Sequence, residues 1–304
     1  MIRLSKAYVI GTVCASLAAI AFGLNPFFGI PLYAEGLKPL PVLFYRFLFA
    51  ALLLAGYMLV FRKSFRLERR YWLLTSGAGV LMASTCLFWF FTFRIMDSGI
   101  SATILSVYPV MVALIMFFFY KEKIRYSTIA GMLLALCGVA MLCKPGNGSN
   151  VCARGIVFIM LSALSYAVYI VAVKQSRLKE LAPETLTFYA MLVSIAVFLL
   201  SLRGGADLQP IQSWTALGNA VGLGLVPSLI AFLLTAVAIH RIGPTGTAVL
   251  GALDPVAAVI IGIFKFNENV TPVLIAGIII IITAVTIVIC TMGKPQRSDA
   301  ALDQ

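Results

Sequence analysis

Ten apolar stretches, each about 17–25 residues long and bounded by charge, glycine or proline, constrain this chain more than anything else in it. They lie at roughly 8–28, 41–61, 71–93, 99–120, 127–143, 155–173, 185–202, 215–239, 243–264 and 272–292. About 20 apolar residues in a helix cross one bilayer. Leu, Ile, Val, Phe, Ala and Gly occupy every face, which fits helices that satisfy their own backbone in hydrocarbon. With 62% hydrophobic and only 11% charged residues, the chain has too little polar surface for a water-soluble domain. The expected fold class is all-α integral membrane, with ten transmembrane helices. Arg3 and Lys6 precede the first stretch as in a signal peptide, but it is long and lacks an A-x-A-like cleavage signal, so it reads as a retained helix 1.

Basic residues set the orientation. If the amino terminus is cytoplasmic, 16 of the 23 Lys and Arg fall on inside segments and 6 on the opposite side, with Arg46 inside helix 2. That bias predicts both termini in the cytoplasm and the chain in the cell membrane. It also accounts for the net charge of +12 without a nucleic-acid partner. The basic run from Arg62 to Arg70 reads as an orienting loop rather than a dedicated anionic-lipid site. Six cysteines lie mostly in apolar runs, without the spacing of a zinc site or a disulfide framework. Only Cys143 and Cys152, flanking one polar loop, are placed to pair, and two unrelated thiols is the simpler reading.

The halves repeat. At a shift of 146, the segment Ser101 to Val110, ending Tyr108-Pro109-Val110, matches Thr247 to Val256, ending Asp254-Pro255-Val256. In the same register Glu122 falls on Glu268, and Ile129-Ala130-Gly131 on Ile275-Ala276-Gly277. A shift of 144 sets Gly11, Ala19, Phe22 and Asn25 beside Gly155, Ala163, Tyr166 and Tyr169. Five spans per half is an odd number, so the second copy enters the membrane inverted. Secondary transporters are commonly built this way, because two such halves can open a central site to either side. The expected units are 8–143 and 155–292, followed by a cytoplasmic tail at 293–304.

The pattern Ala-x-x-Leu-x-x-x-Tyr-Pro-Val, followed by Lys121-Glu122-Lys123 and Ile129-Ala130-Gly131 and repeated toward Glu268 and Ile275-Ala276-Gly277, together with Phe44-Tyr45-Arg46-Phe47, resembles the EamA-type drug/metabolite transporter family. The resemblance covers about residues 8 to 292. It implies a ten-helix carrier of small metabolites, often directed outward, with amino-acid exporters among its relatives.

A charged residue deep in a span is costly and needs a reason. Asp254 lies about 11 residues into the ninth stretch, near the middle of the bilayer, beside Pro255, which loosens the helix. Its repeat mate is Tyr108-Pro109, and both prolines are candidate hinges. Asp254 is suited to bind a substrate ammonium or to carry a coupling proton, or else it bridges a broken helix by local hydrogen bonds. Arg46 has no charged counterpart, since position 190 is Ala. It is suited to grip a substrate carboxylate in paired hydrogen bonds, to snorkel, or to hold helix 2 against a neighbour. Asn25, beside Pro26, is placed to gate or cap. Trp89, Phe90, Tyr108, Ser162, Ser165, Tyr166, Tyr169, Ser228 and Thr235 are candidate cavity residues. Ser162, Ser165, Tyr166 and Tyr169 form one helical stripe, a pattern that equally serves packing.

Gly218 and Gly222, with Ala248, Ala252, Ala258 and Gly262, follow small-xxx-small spacing and predict close helix contacts. Glu122 and Glu268 read as helix-end residues, Arg94 and Asp97 as solvated. Asn147 and Asn269 match the short glycosylation pattern, weak evidence by itself. No G-x-x-x-x-G-K-[ST] occurs, no metal-ligand cluster is visible, and His240 is the sole histidine, so neither catalytic residues nor a cofactor is predicted. The reading is a secondary transporter, expected to export small organic metabolites, amino acids and related compounds foremost, with membrane lipid around it and a proton as candidate coupling ion, as monomer or homodimer. The alternatives are an uncoupled exchanger or facilitator of the same fold, a channel, and a membrane enzyme or scramblase acting on lipid-linked substrates.

Overall fold

The computed structural model describes residues 6–92, 104–122, 126–142, 153–266 and 272–292, and every regular element among them is helical. Cys143, Cys152, Arg94, Asp97, Glu268, Asn147, Asn269 and the tail 293–304 lie outside the described residues. In chain order the helices are α1 (Lys6–Gly23), α2 (Asn25–Ala34), α3 (Pro39–Val60), α4 (Arg69–Thr92), α5 (Tyr108–Tyr120), α6 (Tyr126–Leu142), α7 (Ala153–Gln175), α8 (Pro183–Ser201), α9 (Trp214–Gly224), α10 (Ala231–Leu250), α11 (Leu253–Phe266) and α12 (Pro272–Met292). A π-helical turn, Leu225–Ile230, joins α9 to α10. Six helical stretches, among them Lys6–Ala34 and Trp214–Leu250, are long and apolar enough to cross a membrane, and shorter apolar helices accompany them. Their outward side chains, such as Val13, Leu52, Phe118, Leu200 and Ile279, are exposed and apolar, which suits lipid rather than water.

Several expected spans are broken rather than continuous, and proline is the common cause. Proline at position i has no N–H to give the carbonyl at i−4, and a carbonyl left alone in hydrocarbon is costly. The chain supplies a substitute donor at five such carbonyls. Asn25 Nδ2 donates to Phe22 O behind Pro26 at 2.7 Å, and Lys265 Nζ to Phe27 O behind Pro31 at 3.0 Å. Ser228 Oγ donates to Leu223 O behind Pro227 at 3.0 Å, and Lys174 Nζ to His240 O behind Pro244 at 2.9 Å. Behind Pro255, the Asp254 N–H donates to Gly251 O at 3.0 Å. Pro244 also follows Gly243, whose φ of 82° ends one helical axis and starts the next.

Packing follows the repeat. If α1/α2 corresponds to α7, α3 to α8, α4 to α9 with the start of α10, α5 to the end of α10 with α11, and α6 to α12, helix contacts occur in exchanged pairs. Helix α4 packs on α7 as α1 packs on α10; α5 packs on α7 as α1 packs on α11; α3 packs on α9 as α8 packs on α4. Helices α6 and α12 pair with each other, as do α3 and α8. One hydrogen bond is repeated as well: Tyr45 Oη donates to Gln209 O at 2.9 Å and Tyr189 Oη to Phe65 O at 2.7 Å. A shift of 144 carries both donor and acceptor of the first bond onto those of the second. The small-residue expectation holds at Gly222, which lies against the Phe28 ring, and fails at Gly218, where an added Cβ would meet nothing within 4 Å beyond its own helix among the described residues.

Candidate functional site

The two broken helices meet at their breaks. A turn at Ser106–Val107 precedes Tyr108 and Pro109 in the first turn of α5, and a turn at Gly251–Ala252 precedes Leu253, Asp254 and Pro255 at the start of α11. Tyr108 Oη donates to Ala248 O at 3.1 Å, tying one break to the other. It can do so because residue 251 is glycine: a Cβ there would overlap the Tyr108 hydroxyl.

Aromatic rings surround this junction. Tyr108 meets Tyr166 edge-on at 4.9 Å between centroids, and Tyr166 lies parallel to Tyr169 at 6.3 Å. Phe22 of α1 meets Tyr166 at 6.4 Å and Phe232 of α10 at 5.1 Å, and Tyr169 meets Phe232 at 6.4 Å. Phe22 and Tyr166 are repeat mates, so equivalent positions of the halves touch here.

Asp254 is half-buried in the first turn of α11. Its side chain makes no hydrogen bond or ion pair among the described residues, although Arg46, Tyr108 and Tyr166 lie within electrostatic reach. A Cβ on Gly23 would come within 2.6 Å of Asp254 O, so α1 presses directly on this turn.

Arg46 is 1% exposed and embraces the π-turn. Its Nε donates to Ser228 Oγ at 2.6 Å and its Nη2 to Pro227 O at 2.9 Å. The π-turn frees that carbonyl, because the Ala231 N–H reaches Val226 O and Ser228 O instead. Two donors along one edge of the guanidinium are thereby committed to the protein, and Nη1 alone has no partner among the described residues. A full two-pronged grip on a substrate carboxylate through that edge is closed off in this conformation.

The remaining candidates divide. Tyr166 and Tyr169 join Tyr108 and Asp254, and Thr235 faces Tyr166. Ser162 is buried and donates to Thr85 O at 2.7 Å, so it serves the α4–α7 contact. Asn25 caps the α1 break. Trp89 is half-buried and meets Phe90 edge-on at 6.2 Å. Glu122 closes α5 through its N–H to Met116 O, and burial pushes its carboxyl up. Residues not singled out from sequence are Phe22 as a ring contact, Phe232, Tyr33, Gly251 and Pro227. Pro227, inside an otherwise unbroken apolar stretch, was the available signal for the π-turn.

The profile of the EamA-like transporter family matches residues 9–143 and again residues 153–290. The chain belongs to the EamA-like transporter family. An uncharacterized transporter of Archaeoglobus fulgidus is 29% identical over 167 residues, 55% of this chain, and the chain spans 58% of that relative's length. The uncharacterized transporter YwfM of Bacillus subtilis is 22% identical over 233 residues, covering 76% of this chain and 77% of its own. A probable terminal-alkyne amino-acid exporter of Streptantibioticus cattleyicolor is 25% identical over 182 residues, covering 59% and 60%. A solved crystal structure superposes with a TM-score of 0.79 at 17% identity, covering 95% of this chain and 99% of that one, and so shares the fold. This EamA-family chain is a multi-pass membrane protein of a class named for transport, not for enzymatic chemistry.

Proposed function

We propose that this protein is a secondary transporter that exports small organic metabolites, foremost amino acids and related compounds, across the cell membrane by alternating access. Ten helices in two inverted five-helix repeats, 8–143 and 155–292, hold the site at their seam, with both termini and the tail 293–304 cytoplasmic. One observation carries the reading. Asp254 stands uncompensated beside the junction of two proline-broken helices, within reach of Arg46 but not paired with it, against a wall of aromatic rings. An intramembrane carboxylate of this kind marks a substrate or proton path. Tyr108, Tyr166 and Tyr169 supply apolar faces and hydroxyls for an amphipathic solute. Pro109 and Pro255, each at the start of a half-helix, are where those segments swing. The exporter name of the Streptantibioticus relative supports the direction and the amino-acid class.

An uncoupled exchanger uses the same site without the proton. Its support is Asp254's place in the first turn of α11, where the helix dipole stabilises negative charge.

The test is counterflow of a radiolabelled amino-acid panel in proteoliposomes across a pH series, for wild type and Asp254→Asn. Saturable wild-type counterflow is expected, reduced about 10-fold or more and flattened in its pH dependence by the substitution. Undiminished, equally pH-dependent flux in Asp254→Asn removes Asp254 from the mechanism. Absence of counterflow removes the carrier, and indifference to an imposed pH gradient selects the uncoupled exchanger.

A further inference from the structure

Among the described residues, the buried donors without acceptors include Arg46 Nη1, the Tyr169 hydroxyl in the site itself, and the hydroxyl of Tyr33 on the last turn of α2. Tyr33 and Arg46 share neighbours. Tyr33 packs in the cluster of Leu32, Leu37 and Val42 with Tyr45 and Phe49, and Val42 and Phe49 bracket Arg46 on one face of α3. Its ring meets Phe90 at 6.2 Å, one turn along α4 from Cys86. Arg46 has Tyr33, Cys86 and Asp254 within electrostatic reach.

Charge makes the arrangement informative. The oxygens that Arg46 already holds, Ser228 Oγ and Pro227 O, are neutral, so its positive charge is solvated but not balanced. Asp254, when ionised, carries the opposite charge, and among the described residues it makes no ion pair with Arg46. A cation and an anion held apart, with an unpartnered guanidinium N–H and an unpartnered phenol O–H within electrostatic reach of each other, match a solute bearing both charges. A carboxylate takes N–H and O–H donors at once, and the charged donor makes the stronger bond. A plain amine leaves Arg46 unbalanced, and a plain acid leaves Asp254 unbalanced.

We propose that Arg46 Nη1 and the Tyr33 hydroxyl form a carboxylate subsite, with Asp254 taking the ammonium, so that Tyr33 selects small zwitterions over simple cations. This rests on the placement of Asp254 in the transport site. The subsite is closed in this conformation, and α2, hinged at the Leu24–Asn25 break, is the element whose movement admits the carboxylate. Nε and Nη2 position the arm while Nη1 binds.

Three probes that share one isobutyl side chain separate the charges: leucine, 3-methylbutylamine without the carboxylate, and 4-methylpentanoate without the amine. Their dissociation constants are measured on the full-length protein by tryptophan fluorescence or thermal shift, for wild type, Tyr33→Phe and Asp254→Asn. Wild type binds leucine about 10-fold or more tightly than the amine. Tyr33→Phe weakens leucine and 4-methylpentanoate about 10-fold and leaves the amine unchanged. Asp254→Asn weakens leucine and the amine and spares 4-methylpentanoate. The proposal is overturned if wild type binds leucine no better than the amine, if neither carboxylate probe binds, or if Tyr33→Phe shifts all three probes equally or none. A variant that fails to fold leaves the wild-type ratio of leucine to amine as the deciding measurement. If Asp254→Asn abolishes amine and leucine binding while their wild-type affinities are equal, the subsite falls and the Asp254 reading stands. If Asp254→Asn changes no affinity, the Asp254 reading falls, and the change in 4-methylpentanoate binding on Tyr33→Phe still decides the subsite.

Discussion

At the scale of single residues, the centre depends on the absence of one side chain. Gly251 leaves room for the Tyr108 hydroxyl to reach Ala248 O, the bond that joins the two breaks. Gly251→Ala therefore overpacks the junction and costs about 1–3 kcal/mol. Tyr108→Phe removes the obstructing oxygen together with its bond and costs about 1 kcal/mol alone. The double variant is expected to be more stable than the sum of the two losses, read as thermal unfolding in detergent; strictly additive losses would show that the two residues do not share one space. Sequence made Tyr108 and Asp254 legible, because each precedes a proline at the same register of the repeat. Gly251 was not legible, since nothing local distinguishes it from the other small residues of its stretch. For Arg46 the sequence offered a solute grip, snorkelling or a tie to a neighbouring helix without deciding among them, because its partners lie 181 and 182 residues away and a guanidinium looks the same whether it binds solute or a carbonyl.

At the scale of elements, the unit of design is a proline with the donor that replaces its missing N–H. The apolar stretches revealed where helices run but not where they stop, because hydrophobicity is uniform across a break. Pro109 and Pro255 were legible as hinges, whereas the break at Pro227 went unread; the donors Lys174 and Lys265, which come from other helices, could not be paired with their carbonyls before the packing was known. Asn25 and Pro26 offer the clean case, since donor and proline are neighbours. Asn25→Leu strands the Phe22 carbonyl and is expected to cost about 1–3 kcal/mol. In a Pro26→Ala background the restored N–H reaches that carbonyl, and the same substitution is expected to cost well under half as much. A double-mutant cycle of thermal stability checks this, and equal costs in both backgrounds would mean that Asn25 does not serve the proline.

For the whole molecule, the repeat is visible in bonds as well as in letters. Tyr45 clasps the segment after α8, and Tyr189 clasps the segment after α3. The first clasp shares its end of the bundle with the Lys38–Gln209 and Glu35–Ser213 contacts. The second lies with the Lys63–Glu184 ion pair and the bonds from Thr185 to Ser64 and from Tyr71 to Glu180. Both clasps join α3 to α8 territory, so these two helices are fastened at both ends. If the repeats are inverted in the membrane, the clasps face opposite compartments, and the basic loop after α3 fixes which is which. Arg66 and Pro210 are both exposed, and each follows a clasp acceptor by one residue. In a cysteine-free background in intact cells, Pro210→Cys is expected to react with a membrane-impermeant maleimide, and Arg66→Cys to react only after permeabilisation. Labelling of both from the same side would place the two clasps in one compartment, and a seam that opens alternately to either face could not be built from halves arranged that way.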